Sequence, residues 1–99
     1  MVYSVLFIDD DPEICSIAKA FLEKTGSFKV TTSESVKNSQ QLLKKTHFDA
    51  IISDYAMPGS DGLAFLRSVR CKGNRIPFVI LTGKGKEQII IDALNSGAD

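Results

Sequence analysis

Three carboxylates and a hydroxyl in this sequence fall where one chemistry could use them together. Asp9 and Asp10 follow the apolar run Tyr3–Ile8, Asp54 ends the run Ala50-Ile51-Ile52-Ser53, and Thr82 ends Phe78-Val79-Ile80-Leu81. Each run is too short for a helix and is bounded by breakers, so each reads as a buried strand that delivers its polar end residue to the rim of a sheet. Carboxylates crowded at one rim disfavour each other's ionisation, and a small hard divalent cation relieves that repulsion. Mg²⁺ suits the donor set: it takes one or two protein carboxylates, keeps several waters and completes its octahedron with phosphate oxygens. A carboxylate beside such a cation can attack phosphorus and become an aspartyl phosphate. Asp54, alone at its strand end, is the candidate nucleophile. Asp10 is the candidate direct metal ligand, Asp9 a ligand through water, and the backbone carbonyl of Ala56 a further ligand. The Thr82 hydroxyl can donate to a phosphoryl oxygen, while Asp11 is expected only to cap a helix.

The elements that must hold these residues alternate along the chain. After the strand Tyr3–Ile8, Asp11-Pro12-Glu13 starts a helix, with Asp at the cap, Pro in the first turn and an acid near the positive dipole end. Ile14, Ile17, Ala18, Phe21 and Leu22 give it an apolar stripe, and Gly26 closes it. A second strand covers Phe28–Thr32, a helix with few apolar residues runs from Glu34 to Lys45, and a third strand covers Asp49–Asp54. Ser60 or Asp61 caps a third helix bearing Leu63, Phe65, Leu66 and Val69; a fourth strand spans Ile76–Thr82. Ile89, Ile90, Ala93 and Leu94 mark a fourth helix ended by Gly97. Strand–helix alternation at this spacing means a doubly wound parallel sheet, in which ligands bind at the strands' carboxyl ends.

Composition narrows the function. In 99 residues there is room for one core. Twelve basic and twelve acidic side chains cancel, so no global field favours nucleic acid or anionic lipid. The start lacks the basic, long-apolar pattern of a signal peptide, and no run is long enough to span a bilayer. Cys15 and Cys71 are too few for a disulfide framework and wrongly spaced for a metal site; they read as reduced thiols in a cytoplasmic protein, Cys15 packing on a helix face. His47 reads as a surface residue beside a buried Phe48, and Lys84 and Lys86 as solvated loop lysines.

The pattern Asp9-Asp10-Asp11-Pro12, Ser53-Asp54-Tyr55-Ala56-Met57-Pro58-Gly59-Ser60-Asp61-Gly62 and Ile80-Leu81-Thr82-Gly83 resembles the receiver domain of two-component response regulators. The resemblance covers the whole chain. It implies a flavodoxin-like fold with strand order 2-1-3-4-5, phosphorylation of Asp54 by a histidine kinase with Mg²⁺, and slow autodephosphorylation. It also implies a switch in which Thr82 moves onto the phosphoryl group and alters the surface that an output domain or downstream protein reads. Such a domain is a signalling phosphoacceptor rather than an enzyme.

Two departures stand out. The family's lysine, in a Lys-Pro pair ending a fifth strand, and the aromatic switch residue before it would follow Asp99, so the chain reads as a fragment lacking the fifth strand and helix. The Phe78–Leu81 strand would then be an unguarded edge, with Pro77 protecting only its start. The chain is expected to form a homodimer through it, to exchange elements with a second copy, or to stay partly unfolded. Gly83 replaces a small side chain beside Thr82 and opens the phosphoryl site to water. Three rivals compete: a pseudo-receiver that binds partners without taking phosphate, a Mg²⁺-dependent aspartyl-phosphate phosphohydrolase, and a flavin module of the same fold. The second would need an acid two residues past Asp54, where Ala56 stands; the third would need a phosphate loop where three aspartates stand.

Overall fold

The computed structural model describes residues 2–57 and 60–81. Strand β1 (Tyr3–Ile8) leads into helix α1 (Pro12–Glu23), strand β2 (Phe28–Ser33), helix α2 (Val36–Lys45) and strand β3 (Ala50–Asp54). Two-residue strands β4 (Ala56–Met57) and β5 (Ser60–Asp61) precede helix α3 (Gly62–Cys71) and strand β6 (Phe78–Leu81). The four longer strands form one sheet in the order β2-β1-β3-β6, every pairing parallel, and β4 and β5 form a separate antiparallel pair. This is the expected 2-1-3-4 order, with β6 as the fourth strand of the sheet.

Local chemistry explains the boundaries. Asp11 caps α1 by accepting the Glu13 N–H at 2.9 Å, and Pro12 occupies the first turn, where its missing N–H costs nothing. The chain leaves α1 through Gly26 at φ 78°, a left-handed conformation in which glycine carries no side-chain penalty. Ser35 caps α2 by accepting from Asn38 N–H, so that helix starts two residues later than the sequence suggests. Of the two expected caps for α3, Asp61 serves, accepting the Ala64 N–H at 2.6 Å.

Alternation along β1 divides the core. Leu6 and Ile8 face one side with Phe48, Ile51 and Phe78, under Leu63, Phe65, Leu66 and Val69 of α3. Val36, Leu42 and Leu43 of α2 join that layer, and Phe65 meets Phe78 edge-on with centroids 5.6 Å apart. Val5 and Phe7 face the other side with Val30 and Cys15. Helices thus cover both faces, as the sequence pattern requires.

One expectation needs correction. The apolar stripe of α1 does not all pack: Cys15, Ala18 and Leu22 lie on the sheet, whereas Ile14, Ile17 and Phe21 are exposed, Phe21 at 72%. At 100° per residue the two sets form adjacent stripes, and a flat sheet covers only one. The expected fourth helix, Gly83, and the lysines at 84 and 86 lie outside the described residues.

Candidate functional site

Parallel pairing places the acidic residues. Ile8 lies opposite Ser53, so β1 and β3 finish side by side, and Asp9 and Asp54 emerge as neighbours. One carboxylate oxygen from each of Asp9, Asp10 and Asp54 lies within 4.8 Å of the others. The sheet therefore brings together all three carboxylates that the sequence singles out. Asp11 stays apart as the α1 cap. Ala56 is in β4 opposite Asp61, and Thr82 lies outside the described residues.

Several hydrogen bonds hold Asp9. Its Oδ1 accepts the Asp11 N–H at 2.9 Å, its own N–H donates to Ser33 O at 3.1 Å, and its carbonyl accepts the Cys15 thiol at 3.3 Å. Burial raises its carboxyl above the ordinary aspartate value; the Asp11 N–H opposes that, and the charges of Asp54 and Asp10 add to it. Burial also pushes up the Cys15 thiol, which stays protonated and able to donate.

Asp54 is fixed from behind. Ser53 is fully buried, and its hydroxyl donates to the Asp54 carbonyl at 2.9 Å. Tyr55 N–H donates to Leu81 O, and Gly62 N–H donates to Tyr55 O at 2.7 Å, drawing the start of α3 against the end of β3. A methyl group on Gly62 would overlap the Asp54 carbonyl and stand 3.1 Å from Ser53 Oγ. Gly62 is therefore required by close approach, a role that the sequence reading left unassigned; a glycine directly after a helix cap, where it weakens the helix, is the signal for it.

The donor set is oxygen only, which suits a hard cation. Opposite ligands on Mg²⁺ are roughly 4.2 Å apart, twice a bond of about 2.1 Å. A 4.8 Å spread fits direct ligation by some carboxylates with another held through water. Two clefts of about 300 and 310 Å³ open away from this rim, one beside His47 and Asp49, the other between α2 and α3 over Phe65 and Val69.

Comparison with known proteins adds to this geometry. The family model of the response regulator receiver domain matches residues 5–99. The chain belongs to the response regulator receiver domain family. It is 36% identical over 95 residues to Protein PetR of Rhodobacter capsulatus, covering 96% of this chain and 39% of that protein. It is 35% identical to the response regulator SaeR of Staphylococcus aureus, covering 96% of this chain and 41% of that one. The receiver chain thus spans about two fifths of the length of these curated relatives. Among solved structures, the Francisella response regulator 1452 receiver domain superposes with a TM-score of 0.91 at 30% identity, over 98% of this chain and 79% of that chain. The Vibrio cholerae chemotaxis response regulator CheY4 gives 0.86 at 25% identity, over 99% of this chain and 82% of that chain. A flavodoxin-like receiver fold agrees with the observed strand order. No helix among the described residues is long and apolar enough to cross a membrane.

Proposed function

We propose that this receiver domain accepts a phosphoryl group on Asp54 from the phosphohistidine of a histidine kinase, with Mg²⁺ bound by Asp9, Asp10 and Asp54. The observation that carries the reading is the convergence of the three carboxylates within 4.8 Å at the carboxyl ends of β1 and β3. An Asp54 carboxylate oxygen attacks phosphorus, the P–N bond to the donor imidazole breaks, and the leaving nitrogen keeps the electron pair and is protonated from solvent. When bound, Mg²⁺ neutralises charge on the transferring oxygens. Asp10 is assigned as direct ligand, Asp9 as ligand through water, and the Ala56 carbonyl as a further ligand. Ser53 and Gly62 hold the backbone at Asp54. The Thr82 hydroxyl is assigned to the phosphoryl group, where its movement alters the surface offered to an output domain or downstream protein. The reaction is stoichiometric, which makes the domain a signalling switch in the cytoplasm and not a turnover enzyme.

The test is incubation with acetyl phosphate and Mg²⁺, followed by intact-mass and peptide analysis. One phosphoryl adduct is expected, on Asp54, lost in Asp54→Asn and retained in Asp11→Asn. An adduct on Ser53, Asp9 or Asp10 would overturn the assignment. Failure of both the small donor and a phosphorylated kinase domain to modify the chain would favour an interaction module that takes no phosphate.

A further inference from the structure

We propose that Cys15, Ser33 and Ser39 form a positioning cluster that fixes the backbone of Asp9 and thereby aims its carboxylate at the cation; this rests on the reading that the acidic rim binds Mg²⁺. Both backbone groups of Asp9 are engaged, its N–H by the Ser33 carbonyl at 3.1 Å and its carbonyl by the Cys15 thiol at 3.3 Å. With Oδ1 also accepting from Asp11 N–H, the side chain has little freedom that its backbone does not set. Cys15 is anchored in turn, because its own N–H donates to Asp11 O in the first turn of α1.

Ser33 is the second anchor and is itself held. It is 2% exposed, and its hydroxyl donates to Ser35 O at 3.0 Å while accepting from Asn38 Nδ2 at 3.0 Å. Ser39, fully buried in α2, lies 2.8 Å from both Ser33 Oγ and Ser35 O, so its single proton serves either. Two buried hydroxyls between a strand and a helix stabilise less than two methyl groups would, unless their bonds fix a particular geometry. Here every buried side-chain polar atom among the described residues is partnered. The geometry that this satisfied cluster fixes is the end of β2, whose last carbonyl holds Asp9. A continuous set of hydrogen bonds therefore runs from the amino end of α2, through Ser33, to Asp9.

The test is Mg²⁺ titration of the whole chain, followed by amide shifts at Asp10 and Asp54, with urea unfolding of the same samples. Supporting residues of metal ligands carry about 10–100-fold in affinity. Acting through backbone, Cys15→Ala should weaken Mg²⁺ by about three- to tenfold. Cys15→Ser, which keeps a donor, should recover at least half of that change, and Ser39→Ala should weaken binding about two- to threefold. Val69→Ala, in the opposite core layer, serves as the comparison for lost stability alone and should leave Mg²⁺ affinity unchanged. Wild-type affinity in both Cys15→Ala and Ser39→Ala, or an equal loss in Val69→Ala, overturns the positioning role. If Cys15→Ala does not fold, Ser39→Ala against Val69→Ala decides. A wild-type chain with no Mg²⁺-dependent shift at Asp10 or Asp54 overturns the metal reading itself, and the positioning role falls with it; binding in the wild type with unchanged variants overturns the positioning role alone.

Discussion

The neighbouring strands β1 and β3 carry aspartates at both ends, and the two ends treat them in opposite ways. At the amino end, Asp49 precedes β3, donates its N–H to the Ser4 carbonyl of β1 at 2.7 Å, and accepts the Ser4 N–H on its carboxylate at 2.7 Å. His47 Nε2 adds a contact at 3.2 Å, but at 85% exposure that pair is screened and contributes little. The backbone donor, more than the histidine, holds the Asp49 carboxyl below its ordinary value. At the carboxyl end Asp9, Asp10 and Asp54 meet one another's charge, and Asp9 is pushed the other way. One end uses a carboxylate to tie two strands together. The other gathers three carboxylates, where burial and then mutual repulsion work against the charge on Asp9.

The largest expected effect separates the ends by function. The double variant Asp9→Asn/Asp10→Asn should lose Mg²⁺ affinity by more than the roughly 100-fold upper range for losing a supporting residue. Its urea midpoint should hold or rise. Asp49→Ala should do the reverse: a lower midpoint, because Ser4 N–H loses its acceptor, with the Mg²⁺ response at Asp10 and Asp54 kept. If the double variant is the less stable of the two, the contrast between the ends is wrong.

Next in size is Gly62→Ala, which sharpens the contrast within the carboxyl end. The carboxylates there are expected to be replaceable without loss of fold, but the glycine behind Asp54 is not, since a methyl would overlap the Asp54 carbonyl. Overpacking of this kind costs about 1–3 kcal/mol. Urea unfolding should show it, and an unchanged midpoint would mean that α3 shifts freely at its start.

Much of the working rim was legible because it is local in the sequence. Short apolar runs ending in acids gave β1 and β3, and Asp11-Pro12 gave the α1 cap, each from neighbours in the chain. What escaped depends on partners far away. The bond between Ser4 and Asp49 spans 45 residues, and nothing near either residue announces it. Ser33 and Ser39 look like solvated positions until β2 and α2 close on each other. The stripe on α1 is wider than the sheet beneath it, and periodicity alone does not say which part is covered. The pair β4 and β5 is too short to carry any pattern.

The smallest expected effect is the dependence of stability on pH, and its sign differs between the ends. Asp49 has its carboxyl below the ordinary 3.8, so its contribution is present above that value and fades as pH falls through the lower, folded one. Asp9 has its carboxyl above 3.8, so its contribution is present below 3.8 and is lost as pH rises through the higher, folded value. Toward neutral pH, therefore, Asp49 stabilises the fold and the charge on Asp9 opposes it. Asp9→Asn keeps an acceptor for the Asp11 N–H while removing the charge. It should therefore be the more stable chain at neutral pH, by less than about 1 kcal/mol because the site is largely solvated. That advantage should shrink as the wild type takes up its proton on acidification. Asp49→Asn should be less stable than wild type at neutral pH, and its deficit should shrink only below pH 3.8. Urea midpoints of the three chains in metal-free buffer, from neutral pH down to about pH 3, test both signs, taking the ordinary aspartate value as the dividing point. An Asp9→Asn chain that is less stable at neutral pH would show that Asp9 is held by its hydrogen bonds more strongly than it is repelled, and the two ends would then differ in degree only.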